Sequence, residues 1–518
     1  MVQNQGLQPA GDTNINATEF LEITGISTDG KIRSGIISET LAGNSGNINV
    51  VTPRLIVQDG AGIGSRTFSP AQGGNIFFDV SESIEMGGIS EVNPAVFSAI
   101  ASLTFGQGKA GNISVKTGNF SVTDGAAVAA TSFGMGNGGN IDINAQNIEV
   151  KGSGFGLFIK SSIASSALGK GNGGNININT EKLFLNEDGN VNTISNNDGD
   201  AGNIFINATK SIESFESTEI QSSVELNASL QNIFNLPTVP NGNSGKITIN
   251  TPLLVVADEA QIGVRNLGSG DAGILSINAD LLRLDNLSQL SANTVFGEGG
   301  NISLNTQSLQ MFGGSSISTS AGGKGSGGNI SIDTDTLVAV ENSDITANAQ
   351  NSFGGNVTIN AQGIFGTQFR EEITSQSDIT ASSELGASFS GTVELNTPGI
   401  DPSKAVNQLP ANITDPTNQI ASGCGANTGN SFVVTGRGGV PQNPSDRINR
   451  NIIWYDIRHL SLPSQQSDKI ARTTKISNQK RIIEATGFMK NARGEVELVA
   501  QIPENFQNLQ QLSSCGEV

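Results

Sequence analysis

The sequence predicts an all-β fold, a right-handed parallel β-helix solenoid with 27–28-residue coils, followed by a linker and a small β-containing C-terminal module. Three observations predict it. Glycine makes up 65 of 518 residues, with one Trp, one Tyr, one His and two Cys, a composition of regular repeats and not of compact domains. A glycine-led pattern returns at a nearly fixed interval. Short runs of alternating apolar and polar residues separate the glycines, and no window carries a helical period.

The repeat is Gly, usually Asn, then apolar–any–apolar, as in Gly46-Asn47-Ile48-Asn49-Val50. The residue after the glycine falls at 47, 75, 112, 140, 175, 203, 246, 274, 301, 329, 356 and 392. The steps are 28, 37, 28, 35, 28, 43, 28, 27, 28, 27 and 36, a base period of 27–28 with some coils lengthened by 7 to 15 residues. A degraded copy starts at Gly11-Asp12. Each unit reads as three short strands, for example Ile141-Asp142-Ile143 and Ile148-Glu149-Val150, with Leu290-Ser291-Ala292 as a third strand in a later unit. One unit cannot bury its own apolar face, but stacked units can, at about 4.8 Å per coil. Twelve coils then extend roughly 55–60 Å.

Asn fills the marker position in nine of the twelve copies: Asn47, Asn75, Asn112, Asn140, Asn175, Asn203, Asn301, Asn329 and Asn356. Stacked side-chain amides are expected to bond to one another along the axis. The invariant preceding glycine is expected to relieve a tight corner with positive φ. Loops are expected to protrude in the long coils, at 81–103, 151–165, 209–243 and 363–388. The longest, 209–243, holds Phe215, Phe234 and Leu236, as a binding loop or as cover for the side of the solenoid.

The expected organisation is a repeat region over 1–397, a Pro/Gly-rich linker over 398–445 and a module over 446–518. Six of fifteen prolines lie between Pro398 and Pro444. Within the module, 481–500 reads as a β-hairpin, and Trp454, Tyr455 and His459 cluster as a small core or a binding patch. The chain carries a net charge of −19, yet 11 Lys/Arg against four acids fall between Arg437 and Arg493. An acidic chain of this kind is expected to bind no nucleic acid. No apolar run is long enough for a transmembrane helix, and residues 1–20 contain no signal-peptide pattern.

Chemistry finds few candidates. GxGxxG occurs at 134–139, 169–174 and 323–328, but a strand follows it where a dinucleotide site needs a helix N-terminus, so it reads as a coil corner. Gly245-Lys246 is followed by Ile247, where a P-loop needs Ser or Thr. The single histidine, His459, leaves the repeats without a Ser-His-Asp triad or His-ligated zinc. Asp142 and Asp333 fall inside strands and not at the place that calcium-binding nonapeptides require. No cofactor, metal or catalytic residue is expected. A polysaccharide-cleaving β-helix remains the enzymatic alternative, with Asp333 and Asp335 at same-face spacing and Glu371-Glu372 in an insert. Cys424 and Cys515 are a possible disulfide, the other reading being two free thiols.

Segments such as GNGGNININT (171–180) and GEGGNISLNT (297–306) resemble the repeats of filamentous haemagglutinin-like exoproteins of two-partner secretion, of the repeat-rich type common in cyanobacteria. The stretch QGIFGTQFREEITSQSDITASSELGASFSGTVELNTPGIDPS (362–403) resembles their last coils, and SFVVTGRGGVPQNPSD (431–446) and RIIEATGFMKNARGEVELVA (481–500) their C-terminal segments. The resemblance implies export through an outer-membrane β-barrel secretion partner and extracellular or outer-surface display as an adhesin-like scaffold, with cell-surface or matrix glycans or proteins as possible partners. A truncated, non-exported fragment of a longer exoprotein is the remaining alternative, because the family's N-terminal secretion domain is not found before the first repeat.

Overall fold

Apolar residues at alternate positions need a second surface to bury against, and each coil supplies one for the next. In the computed structural model, which describes residues 2–154, 159–225, 231, 236–398, 487–490 and 496–499, strands account for 55% and helix for 1%. Two parallel sheets of 14 strands run through residues 2–396, and the chain passes from one sheet to the other in every coil. This is a parallel β-helix.

The register follows the repeat residue by residue. Ile48 pairs with Ile76, Ile76 with Ile113, Ile113 with Ile141, and Ile141 with Ile176. The column continues through Ile204, Ile247, Leu275, Ile302, Ile330 and Val357 to Val393. Thr13 pairs with Ile48, so the degraded copy at Gly11 is a further coil of the same stack. The interior column from Ile48 to Val357 is at most 1% exposed.

The three expected strands per unit resolve into two. The first two are one continuous strand of 9–12 residues, as in Ile141–Lys151 and Ile176–Asn186. The third is a strand of six residues in most coils, as in Ala127–Ser132 and Gln289–Thr294. Within the long strand the burial pattern BiBeBieBiBi changes phase: Ile176, Ile178 and Thr180 point inward, then Leu183 and Leu185. An alternation of two cannot place 180 and 183 on one side unless the strand bends between them. Register shifts between Thr180 and Lys182, and between Thr52 and Arg54, fall at that bend.

The lengthened coils insert at two corners. After the long strand, 88–98 closes on itself through an Ile89–Phe97 bridge, and Ser153–Gly154 pairs antiparallel with Ile159–Lys160. The last insert carries strands Gln368–Phe369 and Asp378–Thr380. Inside 209–243 the extra residues follow the short strand Glu219–Val224. There Leu236 is 8% exposed, as cover for the solenoid requires, while Phe234 lies outside the described residues.

Contacts divide the chain into a unit of 1–405 and a unit of 406–518. In the second, Gly487–Lys490 pairs antiparallel with Val496–Val499. Cys424, Cys515, Trp454, Tyr455 and His459 lie outside the described residues. None of the described helices is long and apolar enough to cross a membrane.

Candidate functional site

The Gly-Asn corner is built by close approach between coils. A Cβ on Gly139 would stand 2.0 Å from the Gly111 carbonyl oxygen, and on Gly328 1.7 Å from that of Gly300. The same holds at all twelve marker glycines, each against the coil before it. None of the twelve has positive φ, so the expected left-handed corner is replaced by a steric reason. Positive φ falls instead at the turn between long and short strands, at Asp59, Asp124 and Asp258 among others. The other glycines of the first GxGxxG obey the same steric rule: a Cβ on Gly136 would stand 2.0 Å from the Gly108 carbonyl oxygen, and on Gly134 1.7 Å from that of Gly106.

The asparagine ladder exists, with different bonds from those expected. Eight of the nine amide oxygens accept from the backbone N–H of the next coil's marker, and not chiefly from the next amide, while Asn356 accepts from the Thr392 hydroxyl at 2.7 Å. Asn75, Asn112, Asn140, Asn175 and Asn203 donate in this way at 2.8–3.0 Å. Asn329 and Asn356 do the same at 2.9 and 3.2 Å, and only they add amide–amide bonds, both 3.1 Å. At this corner the chain has left regular strand geometry, so its N–H needs a substitute acceptor. Asp12 serves equally, accepting from Asn47 at 2.9 Å. Replacing Asn140 by Ala orphans the Asn175 N–H and should cost about 1–3 kcal/mol, whereas Asn140→Asp keeps the acceptor and most of the stability. Chemical denaturation of the two variants checks this.

A second ladder, three residues upstream, escaped sequence reading. Asn137 accepts from the Asn172 N–H, Asn172 from Asp200, Asp200 from Asn243, and Asn243 from Asp271, at 2.8–3.0 Å. Asp271 then accepts from Glu298, and Glu298 from Ser326, at 2.9 and 2.7 Å. Its mixture of Asn, Asp and Glu hides it from a search for one residue type, although all three supply the same acceptor. Between the ladders runs an open polar groove of 480 Å³, lined by Asn137, Asn140, Asn172, Asn175, Asp200 and Asn203. Across it, inward hydroxyls satisfy the corner's backbone: Ser165 donates to Gly139 O at 2.7 Å and Thr193 to Gly202 O at 2.7 Å.

The amide-to-amide stacking expected at the marker, and made there only by Asn329 and Asn356, also occurs four residues on, along the outer face of the long sheet. Asn144, Asn179, Asn207, Asn250, Asn278, Asn305, Asp333, Asn360 and Asn396 form one register column. Asn179 donates to Asn144 at 3.2 Å, Asn278 to Asn250 at 2.8 Å, and Asn396 to Asn360 at 2.9 Å. Beside this row lies a 360 Å³ groove lined by Asn278, Asp280, Asn305 and Gln307.

The carboxylates weighed for catalysis are engaged or apart. Asp333 accepts from the Asn360 amide and Asp335 from that of Gln362, both at 2.6 Å. Asp142 accepts from Asn177 at 2.7 Å. Glu371 and Glu372 are exposed. Among the described residues no group of three or more His, Cys, Asp or Glu is arranged to hold a metal ion.

The fold and these corners define the class: a parallel β-helix repeat protein with amide-lined outer faces. No family model matches the chain, and no curated protein or solved structure matches it either.

Proposed function

We propose that this chain is an adhesin-like filamentous exoprotein, a structural scaffold that holds repeated weak binding positions along its length. The observation that carries this reading is the exposed to half-buried column from Asn144 to Asn396, eight amides and Asp333, one polar group per coil. A repeated surface suits a repeated ligand, because many weak contacts on one rigid body add as avidity. Amides donate and accept together, which matches the hydroxyls of a glycan. The resemblance to two-partner-secretion exoproteins supports export through an outer-membrane β-barrel and an extracellular location.

The test is retention of the whole chain on surface and matrix polysaccharides. Replacing Asn144, Asn179, Asn207 and Asn250 together by Ser is expected to leave melting nearly unchanged and to weaken retention by about tenfold or more through lost avidity. Retention on no glycan, or unaffected retention by the variant, would count against the reading. Protease accessibility on intact cells, with and without a co-expressed barrel partner, tests export separately.

A further inference from the structure

Two arginines stand over an apolar floor on the outer face of the short sheet. The floor is built from small residues in register: Gly64 with Ala101 and Ala129, and Gly62 with Ala99 and Ala127. Leu103 and Phe133 wall one side and Phe97 the other, enclosing a cavity of 210 Å³ with Arg33 and Arg66 on its lining. Arg33 closes a small antiparallel turn by its bridge to Ile26. Its Nε donates to Gly60 O at 2.9 Å and its Nη2 to Phe97 O, which ties two inserts together. Its Nη1 lies next to the Gly62 end of the floor.

The charges are unbalanced. Among the described residues no carboxylate lies within ion-pair distance of Arg33 or Arg66, and none accepts a hydrogen bond from the Arg66 guanidinium. Glu39 stands opposite Arg66 in register but accepts from the Gln3 amide at 3.1 Å. Burial, and then the charge of Arg66, lower the Arg33 pKa, so the two guanidiniums feel each other. In a chain of net charge −19, two uncompensated cations beside an apolar cavity are costly unless an anion joins them.

We propose that this cavity binds a carboxylate-bearing sugar, one uronate-type residue of an acidic polysaccharide. The carboxylate takes the Arg66 guanidinium and the free Arg33 Nη1, and the apolar face of the ring lies on Ala101, Ala129 and Leu103. At 210 Å³ the cavity is smaller than a typical drug-sized site and suits one ring. Thr131 and Arg33 on its lining offer polar partners to the ring hydroxyls. The site rests on the glycan-scaffold reading and adds a charged specificity to it.

Titration of the full chain with glucuronate, glucose and acetate, followed by calorimetry or ligand-observed NMR, tests it. Glucuronate is expected to bind, and glucose and acetate to bind at least about tenfold more weakly. Arg66→Gln, which breaks no side-chain hydrogen bond or ion pair among the described residues, should weaken glucuronate by about tenfold or more, and Ala129→Phe should block it. Acetate binding as well as glucuronate, no glucuronate binding, or an unaffected R66Q variant would each overturn the site. Polysaccharide retention through the amide column is measured in parallel. A chain retained there but blind to glucuronate loses this site alone, and a chain that binds glucuronate without such retention loses the scaffold reading.

Discussion

Gly328→Ala should break the solenoid locally, at a cost of about 3 kcal/mol or more, by overpacking with no room to relax. The new Cβ would stand 1.7 Å from the Gly300 carbonyl oxygen and 2.7 Å from its carbon, both backbone atoms. Neither coil can step aside, because the next coil lies just as close: a Cβ on Gly355 would in turn stand 1.9 Å from the Gly328 carbonyl oxygen. The two sheets on either side hold the rise at strand spacing. In a stack stabilised by nearest-neighbour interfaces, one spoiled interface divides the protein into two shorter stacks. Limited proteolysis should therefore cut near the site, and melting should lose cooperativity. Gly11→Ala is the control: its Cβ meets nothing within 4 Å and φ there is not positive, so its melting should match the parent or exceed it slightly. Equal melting of both variants would show that the corner glycines are not there for steric reasons.

That contrast marks how much of the fold the sequence disclosed. Periodicity located the coils to the residue, since Ile141, Ile176 and Ile204 share one column. Register in a parallel stack is forced by the apolar rows, and those rows are written in the sequence. The reason for the glycines was not legible. Close approach and positive φ both demand glycine, and only the position of the preceding coil separates them. The same limit applies to the ladder: Asn140 was visible as a recurring residue, but its acceptor role toward the Asn175 N–H depends on where that N–H points. Asn144 and Asn179, which do stack amide on amide, looked like ordinary strand positions. The paired arginines of the cavity lie 33 residues apart, at 33 and 66, and a hairpin-like insert brings them together, so no local motif announces them.

Breaking the Arg370–Asp378 pair should loosen the C-terminal end of the solenoid by about 3–5 kcal/mol, because it strands a buried charge. Asp378 is wholly buried in the last short strand, and its carboxylate accepts from Arg370, from the Thr374 backbone N–H and from the Thr374 hydroxyl. Arg370 also donates to Ser377 O at 3.0 Å, and Thr367 donates there at 3.1 Å, so the insert is folded back onto the strand it precedes. Burial alone would raise the Asp378 pKa, but the Thr374 and Arg370 bonds together outweigh it and hold it below the usual aspartate range. A depressed carboxylate stabilises the fold fully above its unfolded pKa and loses that contribution as pH falls through the folded one. Asp344, whose carboxylate accepts from the Asp378 N–H at 2.9 Å, has the opposite sign: burial raises its pKa, so its ionisation opposes folding and protonation relieves the cost. Stability of this end should therefore hold or rise slightly as pH drops toward the carboxylate range, then fall below about pH 4 as Asp378 protonates. Hydrogen exchange at Ile379 and Thr380, followed against pH, reads the end separately from the rest of the stack. Arg370→Met should shrink the low-pH loss, since only the Thr374 bonds then remain on Asp378, and should lower protection at neutral pH; a pH profile identical to the parent's would remove the pair from its role as the lock of the last coil.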